Sequence, residues 1–308
     1  MKIYNVCIIG GSGFVGMHIA HLLAAQGINL RIPTRHRERA RELLVLPTAE
    51  VVEADIHNPA ELDRLLAGMD AVINLAGVLH GDFSAVHVEL PRKIVAACKR
   101  NGVARLLHMS ALNADADAPS EYLRSKGAGE KIVMESGLIT TIFRPSVIFG
   151  PGDSFLNLFA GLARLPLLLL ASPHAKFQPV FVEDVAQAFM ASLTQPATCG
   201  QRYNLCGPKI YPLWKLVEYA AKIAGQNPTI IGLNTSLSWL QALTLELLPG
   251  KLMTRDNYYS MKVDSVCGCD FPAVFGIRPT ALEQVAPLYL AHHLPRERYK
   301  HFRYRAGR

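Results

Sequence analysis

Paired cysteines, an acidic excess and long unbroken apolar runs are all missing from this 308-residue chain. Its six cysteines (Cys7, Cys98, Cys199, Cys206, Cys267, Cys269) are scattered without a CxxC framework. That pattern points to reduced thiols in a cytoplasmic setting rather than to disulfides or zinc. Cys267-Gly-Cys269 has no second ligand cluster to complete a metal or redox site, so no metal is expected. The most apolar stretch, Phe155 to Ala171, is interrupted by Asn157, Arg164 and Pro166, which excludes a transmembrane span. Acidic residues number 25 against 32 Lys and Arg, a net charge of +7. Six Lys/Arg and one Glu fall between Pro295 and Arg308, with Tyr299, Phe302 and Tyr304 among them. A solvated end is the simplest reading of this tail, and anionic lipid or an acidic partner the alternative; nucleic acid is not expected.

What the chain does have is a glycine cluster set in an apolar run. Val6-Cys7-Ile8-Ile9 leads into Gly10-Gly11-Ser12-Gly13-Phe14-Val15-Gly16, and Met17 to Leu23 continues at helical spacing. A buried strand, a tight turn and a helix start are expected in that order. Gly10 permits the turn, Gly13 lets a phosphate approach the backbone, and Gly16 lets the helix pack on the strand. Amides at the helix start then face the pyrophosphate of a dinucleotide. Lys2, the apolar stretch and Ala24-Ala25 imitate a signal peptide, but the glycines inside the run argue against one.

Downstream, Ile28 to Ile32 reads as a second strand running into Arg35, Arg37 and Arg39, with no acid at its end. An acid there suits the ribose hydroxyls of NAD, whereas arginine suits a 2′-phosphate, so NADP(H) is favoured and NAD(H) is the alternative. Residues Arg37 to Leu46 are read as the following helix. Glu50 to Asp55, Asp70 to Gly77 and Arg105 to Ser110 read as further strands. Helices starting at Asn58-Pro59 and spanning Pro91 to Arg100 alternate with them. The fold class is α/β: a Rossmann-type doubly wound parallel sheet over residues 1–145. A smaller lobe over residues 146–308 is partly interleaved with it and carries substrate or partner contacts.

Ser120-Glu121-Tyr122-Leu123-Arg124-Ser125-Lys126 holds the second chemical signal. On a helix, Tyr122 and Lys126 share a face one turn apart. The ammonium is expected to lower the phenol pKa, so that Tyr122 exchanges a proton with a carbonyl or hydroxyl, and Lys126 also holds the nicotinamide ribose. His80, His87 and His108 near strand ends read as structural.

Taken together, Gly10-x-x-Gly13-x-x-Gly16, Asp55-Ile56, Asn74-Leu75-Ala76-Gly77, Tyr122-x-x-x-Lys126 and Arg144-Pro145 resemble the extended and atypical short-chain dehydrogenase/reductase family. Phe149-Gly150-Pro151-Gly152-Asp153, Phe181 to Ala186 and Tyr203 to Pro208 extend the likeness over residues 3–220. Met253 to Asn257, Val263-Asp264 and Pro279 to Glu283 are similar to the dehydrogenase-like accessory subunits of respiratory complex I and their bacterial relatives. The resemblance implies that Asp55 and Ile56 meet adenine, that Leu75, Ala76 and Gly77 lie along the cofactor, and that Pro145 borders the nicotinamide. It makes Tyr122 and Lys126 the catalytic pair, with Ser110 beside them.

One departure stands out. Family members place Ser or Thr where this chain has Ala111, after Ser110, and a hydrogen bond made in the transition state is worth orders of magnitude in rate. The expected activity is hydride transfer to or from a carbonyl or alcohol of a hydrophobic small molecule. The alternative is a cofactor-binding accessory or assembly protein that contacts a membrane surface or a respiratory complex. Its expected place is the cytoplasm or the periphery of the inner membrane. Apolar Phe155 to Leu170 and Ser236 to Leu248, the latter a helix with Trp239, serve core packing or a hydrophobic contact.

Overall fold

A computed structural model describes residues 2–291; the basic stretch from Pro295 to Arg308 lies outside the described residues. The first part of the chain runs β1 (Asn5–Ile9), α1 (Phe14–Ala25), β2 (Asn29–Thr34), β3 (Ala49–Glu53), α2 (Pro59–Leu66) and β4 (Ala71–Asn74). A π-helical turn (Ala85–Glu89), α3 (Leu90–Arg100), β5 (Arg105–Met109), α4 (Glu121–Met134) and β6 (Ile139–Pro145) follow. Beyond them lie β7 (Ile148–Phe149), α5 (Phe155–Leu162), β8 (Leu167–Leu170), β9 (Lys176–Phe177), β10 (Val180–Phe181), α6 (Val182–Thr194) and β11 (Gln201–Leu205). The last elements are β12 (Tyr211–Pro212), α7 (Leu213–Ile223), β13 (Thr229–Gly232), α8 (Thr235–Leu247), α9 (Arg255–Ser260) and α10 (Leu282–Leu290).

Seven strands form one parallel sheet in the order β11-β6-β5-β4-β1-β2-β3. The chain leaves β1 toward β2 and β3, then crosses back to lay β4 on its other side. The carboxyl ends of β1 and β4 therefore flank the reversal point, where open α/β sheets bind ligands. Successive residues of β1 serve opposite faces: Val6 and Ile8 enter the cluster under α1 and α6, Cys7 and Ile9 the one under α2 and α3. That alternation explains why β1 is apolar throughout.

Residues after 146 return to the sheet through α6 and β11. His18 Nδ1 lies 2.5 Å from Glu183 Oε1, joining α1 to α6. α5, α7 and α10 form a separate core around Phe149, Leu156, Leu216 and Leu282. The β8–β13 pair packs Leu168 and Leu170 on Leu213 and Val217 of α7.

Two expectations are corrected. Residues 37–46 form only a 3₁₀ turn (Arg37–Ala40) followed by turns. Among the described residues there, Ala40 and Leu43 are buried and Leu46 partly so, a stripe too narrow to hold a longer helix before Pro47. Cys206 and Cys267 are also not reduced thiols but a disulfide, with Cα atoms 6.1 Å apart. The end of β11 and the segment after α9 meet in space across 61 residues, which local spacing does not reveal. Cys7 and Cys98 are buried thiols, with burial pushing both up to about 12. Among the described residues no helix is long and apolar enough to cross a membrane, and no cluster of metal-ligating side chains occurs.

Candidate functional site

The glycine turn is shaped by contacts that leave no room for side chains. Gly10 has φ +84°, and a Cβ there would meet the Ala76 nitrogen and Leu75 carbonyl carbon at 3.0 Å. At Gly11 it would meet Ile32 Cγ2 at 2.8 Å, and at Gly16 it would overlap the Gly10 carbonyl and the Gly11 Cα. Gly13 differs: its nearest neighbour is the Gly10 oxygen at 3.2 Å, so its outer side is open. Gly13 is also the extended N-cap of α1, and no side chain caps that helix. The first-turn amides, including those of Phe14 and Val15, thus face outward with the positive end of the helix dipole. That is a fitting cradle for an anionic diphosphate. Ser12 Oγ reaches Thr34 Oγ1 at 3.5 Å across the ends of β1 and β2. Arg35 follows at the carboxyl end of β2, exposed. Asp55, also exposed, accepts the His57 amide at 2.9 Å, with Ile56 partly buried beside it on the second core.

The β4 exit forms the next wall. Leu75 donates its amide to the Ile9 carbonyl at 2.8 Å. Asn74 Oδ1 accepts the Ala76 amide at 3.1 Å, and its Nδ2 donates to His108 Nδ1 at 3.0 Å. That fixes the remaining His108 proton on Nε2, which is buried without a partner among the described residues. A Cβ on Gly77 would sit 3.0 Å from Lys126 Nζ and 3.6 Å from His87 Nε2, so a side chain there would have to displace the lysine ammonium.

α4 carries Tyr122 and Lys126 into place through its caps and its glycines. Ser120 accepts the Leu123 amide at 3.2 Å as N-cap, and Ser260 donates to Ser120 at 2.8 Å. Asp256 of α9 accepts the Glu121 amide at 2.6 Å and the Tyr122 amide at 3.1 Å. A Cβ on Gly129 would overlap the His87 carbonyl, and one on Gly127 would come within 2.9 Å of the Asp115 backbone. Further along, buried Glu130 takes Arg144 at 2.7 and 2.8 Å and Arg202 at 2.8 Å, tying α4 to β6 and β11. Removing one partner of such a pair costs about 3–5 kcal/mol.

Lys126 is 4% exposed, and its ammonium donates to the Met109 carbonyl at 3.2 Å. Burial lowers its pKa to about 8. No carboxylate is paired with it among the described residues, so a buried cation with donor capacity to spare points at the β4 exit. His87 accepts the Val78 amide at Nε2 (3.1 Å), so its Nδ1–H donates to Ser125 Oγ (2.9 Å), which in turn donates to the Tyr122 carbonyl (2.8 Å). Burial and then the Lys126 charge hold His87 neutral, down to about 3. Its ring stands edge-on to Tyr122 at 5.5 Å.

The expected lowering of the Tyr122 pKa does not occur. Burial, and then the negative charge of Asp256, push the phenol up to about 12. Lys126 donates a hydrogen bond to a backbone carbonyl and is itself desolvated, which limits its hold on the phenolate. Ala111 forms a small apolar cluster with Ala118 and Leu123, against which Tyr122 packs, so the cluster beside the tyrosine has a methyl where a hydroxyl was expected. Ser110 is buried and its hydroxyl finds no partner among the described residues. Pro145 ends β6, buried, its carbonyl accepting the Leu112 amide at 3.0 Å.

Sequence reasoning missed Asp256, the Met109 carbonyl and the edge-on contact of His87 with Tyr122. Thr254 and Asn257 form a capping box that marks the start of α9, yet nothing local tells that Asp256 caps a helix some 130 residues away. A groove of about 1580 Å³ lies elsewhere, between α7, β13 and the start of α8, and includes neither the glycine turn nor Tyr122.

Comparison with known proteins agrees with this geometry. Residues 6–206 match the NAD dependent epimerase/dehydratase family. NADH dehydrogenase [ubiquinone] 1 alpha subcomplex subunit 9 of Mus musculus is 32% identical over 293 residues, 90% of this chain and 77% of that protein. A ceramide reductase of Caulobacter vibrioides is 31% identical over 233 residues, covering 74% of this chain and 73% of that one. The dTDP-glucose 4,6-dehydratase DesIV of Streptomyces venezuelae, solved with NAD and DAU bound, shares the fold. Its TM-score is 0.75 at 18% identity, over 96% of this chain and 98% of that one. By sequence match, sheet order and glycine turn together, the chain belongs to the NAD dependent epimerase/dehydratase family.

Proposed function

We propose that this protein is an NAD(P)(H)-dependent oxidoreductase acting on a carbonyl or alcohol of a hydrophobic small molecule. The observation that carries the proposal is the buried Lys126 ammonium beside Gly77, one helical turn from Tyr122. In this reading Gly10 to Gly16 and the α1 amides hold the pyrophosphate, Asp55 and Ile56 the adenine, and Leu75 to Gly77 the length of the nucleotide. Lys126 holds the nicotinamide ribose, Pro145 borders the ring, and Arg35 favours a 2′-phosphate and so NADP(H). The bound nucleotide supplies or accepts the hydride. With its pKa near 12, Tyr122 stays protonated at neutral pH and serves as proton donor to a carbonyl oxygen. Residues 146–308 supply the substrate or partner lobe, and likeness to a ceramide reductase supports a lipid-like carbonyl.

The test is a titration of purified protein with NADPH and NADH, followed by assay with long-chain ketones and quinones. Turnover falling about 10²-fold in Tyr122→Phe supports the assignment; unchanged turnover overturns it. Tighter binding of NADH than NADPH overturns the role of Arg35. A second reading is favoured by the methyl of Ala111 beside Tyr122 and by the likeness to a subunit of NADH dehydrogenase. There the nucleotide stabilises an accessory protein peripheral to a membrane complex. Nucleotide binding without turnover, together with copurification of respiratory subunits, establishes that reading.

A further inference from the structure

Two long segments of the chain are almost free of charge. Residues 155–173 contain only Arg164, and residues 228–253 only Glu246 and Lys251. The fold brings them together. β8 and β13 pair in parallel with Ile231 opposite Leu169, and the pair turns Leu168, Leu170 and Ile230 toward α7. Its other face leaves Leu167, Leu169 and Ile231 exposed. α8 lies alongside, with Gln241 donating to the Leu169 carbonyl at 2.8 Å and Ser238 accepting the Ser172 amide at 3.1 Å.

α8 is inside out. Its buried residues are the small Ser238 and Ala242, while Leu237, Trp239, Leu240 and Leu247 face outward, Leu247 at 80% exposure. A helix that hides its small side chains and shows its large apolar ones has a second surface to meet. The surroundings say which. The groove beside α8 carries His174, Lys215, Lys222 and Lys262 against one acid, Glu218. A smaller hollow places Trp239 and Lys262 side by side. Apolar side chains next to an excess of ammonium groups complement the acyl boundary and phosphates of a lipid leaflet. A second copy docked through this face would bring a second set of these lysines into one interface, with no matching set of carboxylates among the groove residues.

We propose that α8 and the outer face of β8–β13 form a docking surface for an anionic phospholipid bilayer. Trp239 and the leucines enter the headgroup–acyl boundary, and Lys262, in one hollow with Trp239, meets lipid phosphates. The proposal does not depend on turnover at Tyr122.

The full chain is sedimented with vesicles of phosphatidylcholine alone and of phosphatidylcholine with phosphatidylglycerol. Binding should be at least about tenfold stronger to the anionic vesicles and weaken with salt. It should fall about tenfold or more in Leu240→Glu/Leu247→Glu. Nucleotide binding of that variant reports its fold. Independently, Trp239 in a Trp214→Phe background should be quenched by brominated acyl chains. No binding by the wild-type chain, undiminished binding by the double variant, or an unquenched Trp239 each overturns the proposal. Dimerisation that the double variant abolishes, without vesicle binding, assigns the face to a second copy instead.

Discussion

Replacing Lys126 by methionine should stabilise the nucleotide-free protein while destroying its affinity for nucleotide. Burial lowers the Lys126 pKa from 10.5 to about 8, so the charged form costs the native state about 3 kcal/mol. Methionine removes that penalty and fits the channel, at the expense of the hydrogen bond to the Met109 carbonyl, about 1 kcal/mol. The net gain is about 2 kcal/mol, or roughly 4 °C in Tm for a chain of this size. The pH dependence has a definite sign. Below about pH 8 native and unfolded lysine are both protonated, and the wild type bears the full penalty. Between about 8 and 10.5 the native state sheds the proton that the unfolded state keeps, so wild-type stability rises relative to the variant with pH. Saturating nucleotide reverses the ranking, since a ligand at a hundred times its Kd adds about 2.7 kcal/mol to the wild type alone. Thermal melts of both proteins between pH 7 and 10, with and without NADPH, read all of this. A variant less stable than wild type without nucleotide at pH 7, or a difference that does not shrink toward pH 10, refutes the reasoning.

Asp256→Ala should lower the denaturation midpoint by about 1–2 kcal/mol, because two amides at the start of α4 lose their acceptor. It should also lower the Tyr122 pKa, readable as an earlier phenolate absorbance than in wild type, and Asp256→Asn should restore most of the stability. Ala111→Ser places a hydroxyl beside Tyr122 and should raise kcat for a carbonyl substrate about tenfold or more under the oxidoreductase reading. Under the accessory reading, nucleotide consumption stays at background. Cys206→Ser/Cys267→Ser opens a cross-link spanning 61 residues and should cost about 4 kcal/mol in urea denaturation. Equal midpoints for oxidised and reduced wild type contradict that figure.

The parts of the fold that the sequence announced are those whose cause is local. β1, its glycine turn and α1 are contiguous, and each glycine answers to neighbours within a few residues or at the adjacent strand exit. Tyr122 and Lys126 declare themselves by helical spacing alone. Residues 37–46 misled because they are good helix formers, yet among the described residues they set only Ala40, Leu43 and part of Leu46 against the core. The Tyr122 pKa misled for another reason: a lysine one turn away implies stabilisation of phenolate only where neither group is dehydrated. Asp256 and the Cys206–Cys267 bond were illegible because each joins segments whose meeting is decided by packing of the whole C-terminal lobe.

The disulfide also closes residues 206–267 into a covalent ring that contains α7, β13, α8 and α9. Lys251 sits exposed in the loop between α8 and α9, at φ +39°, where a protease finds an open backbone. A single cut there leaves both new ends tethered: one to the sheet through β11, the other through Cys267 to that same strand end. The nicked protein therefore keeps Asp256 over α4 and runs as one species until a reductant separates its two pieces.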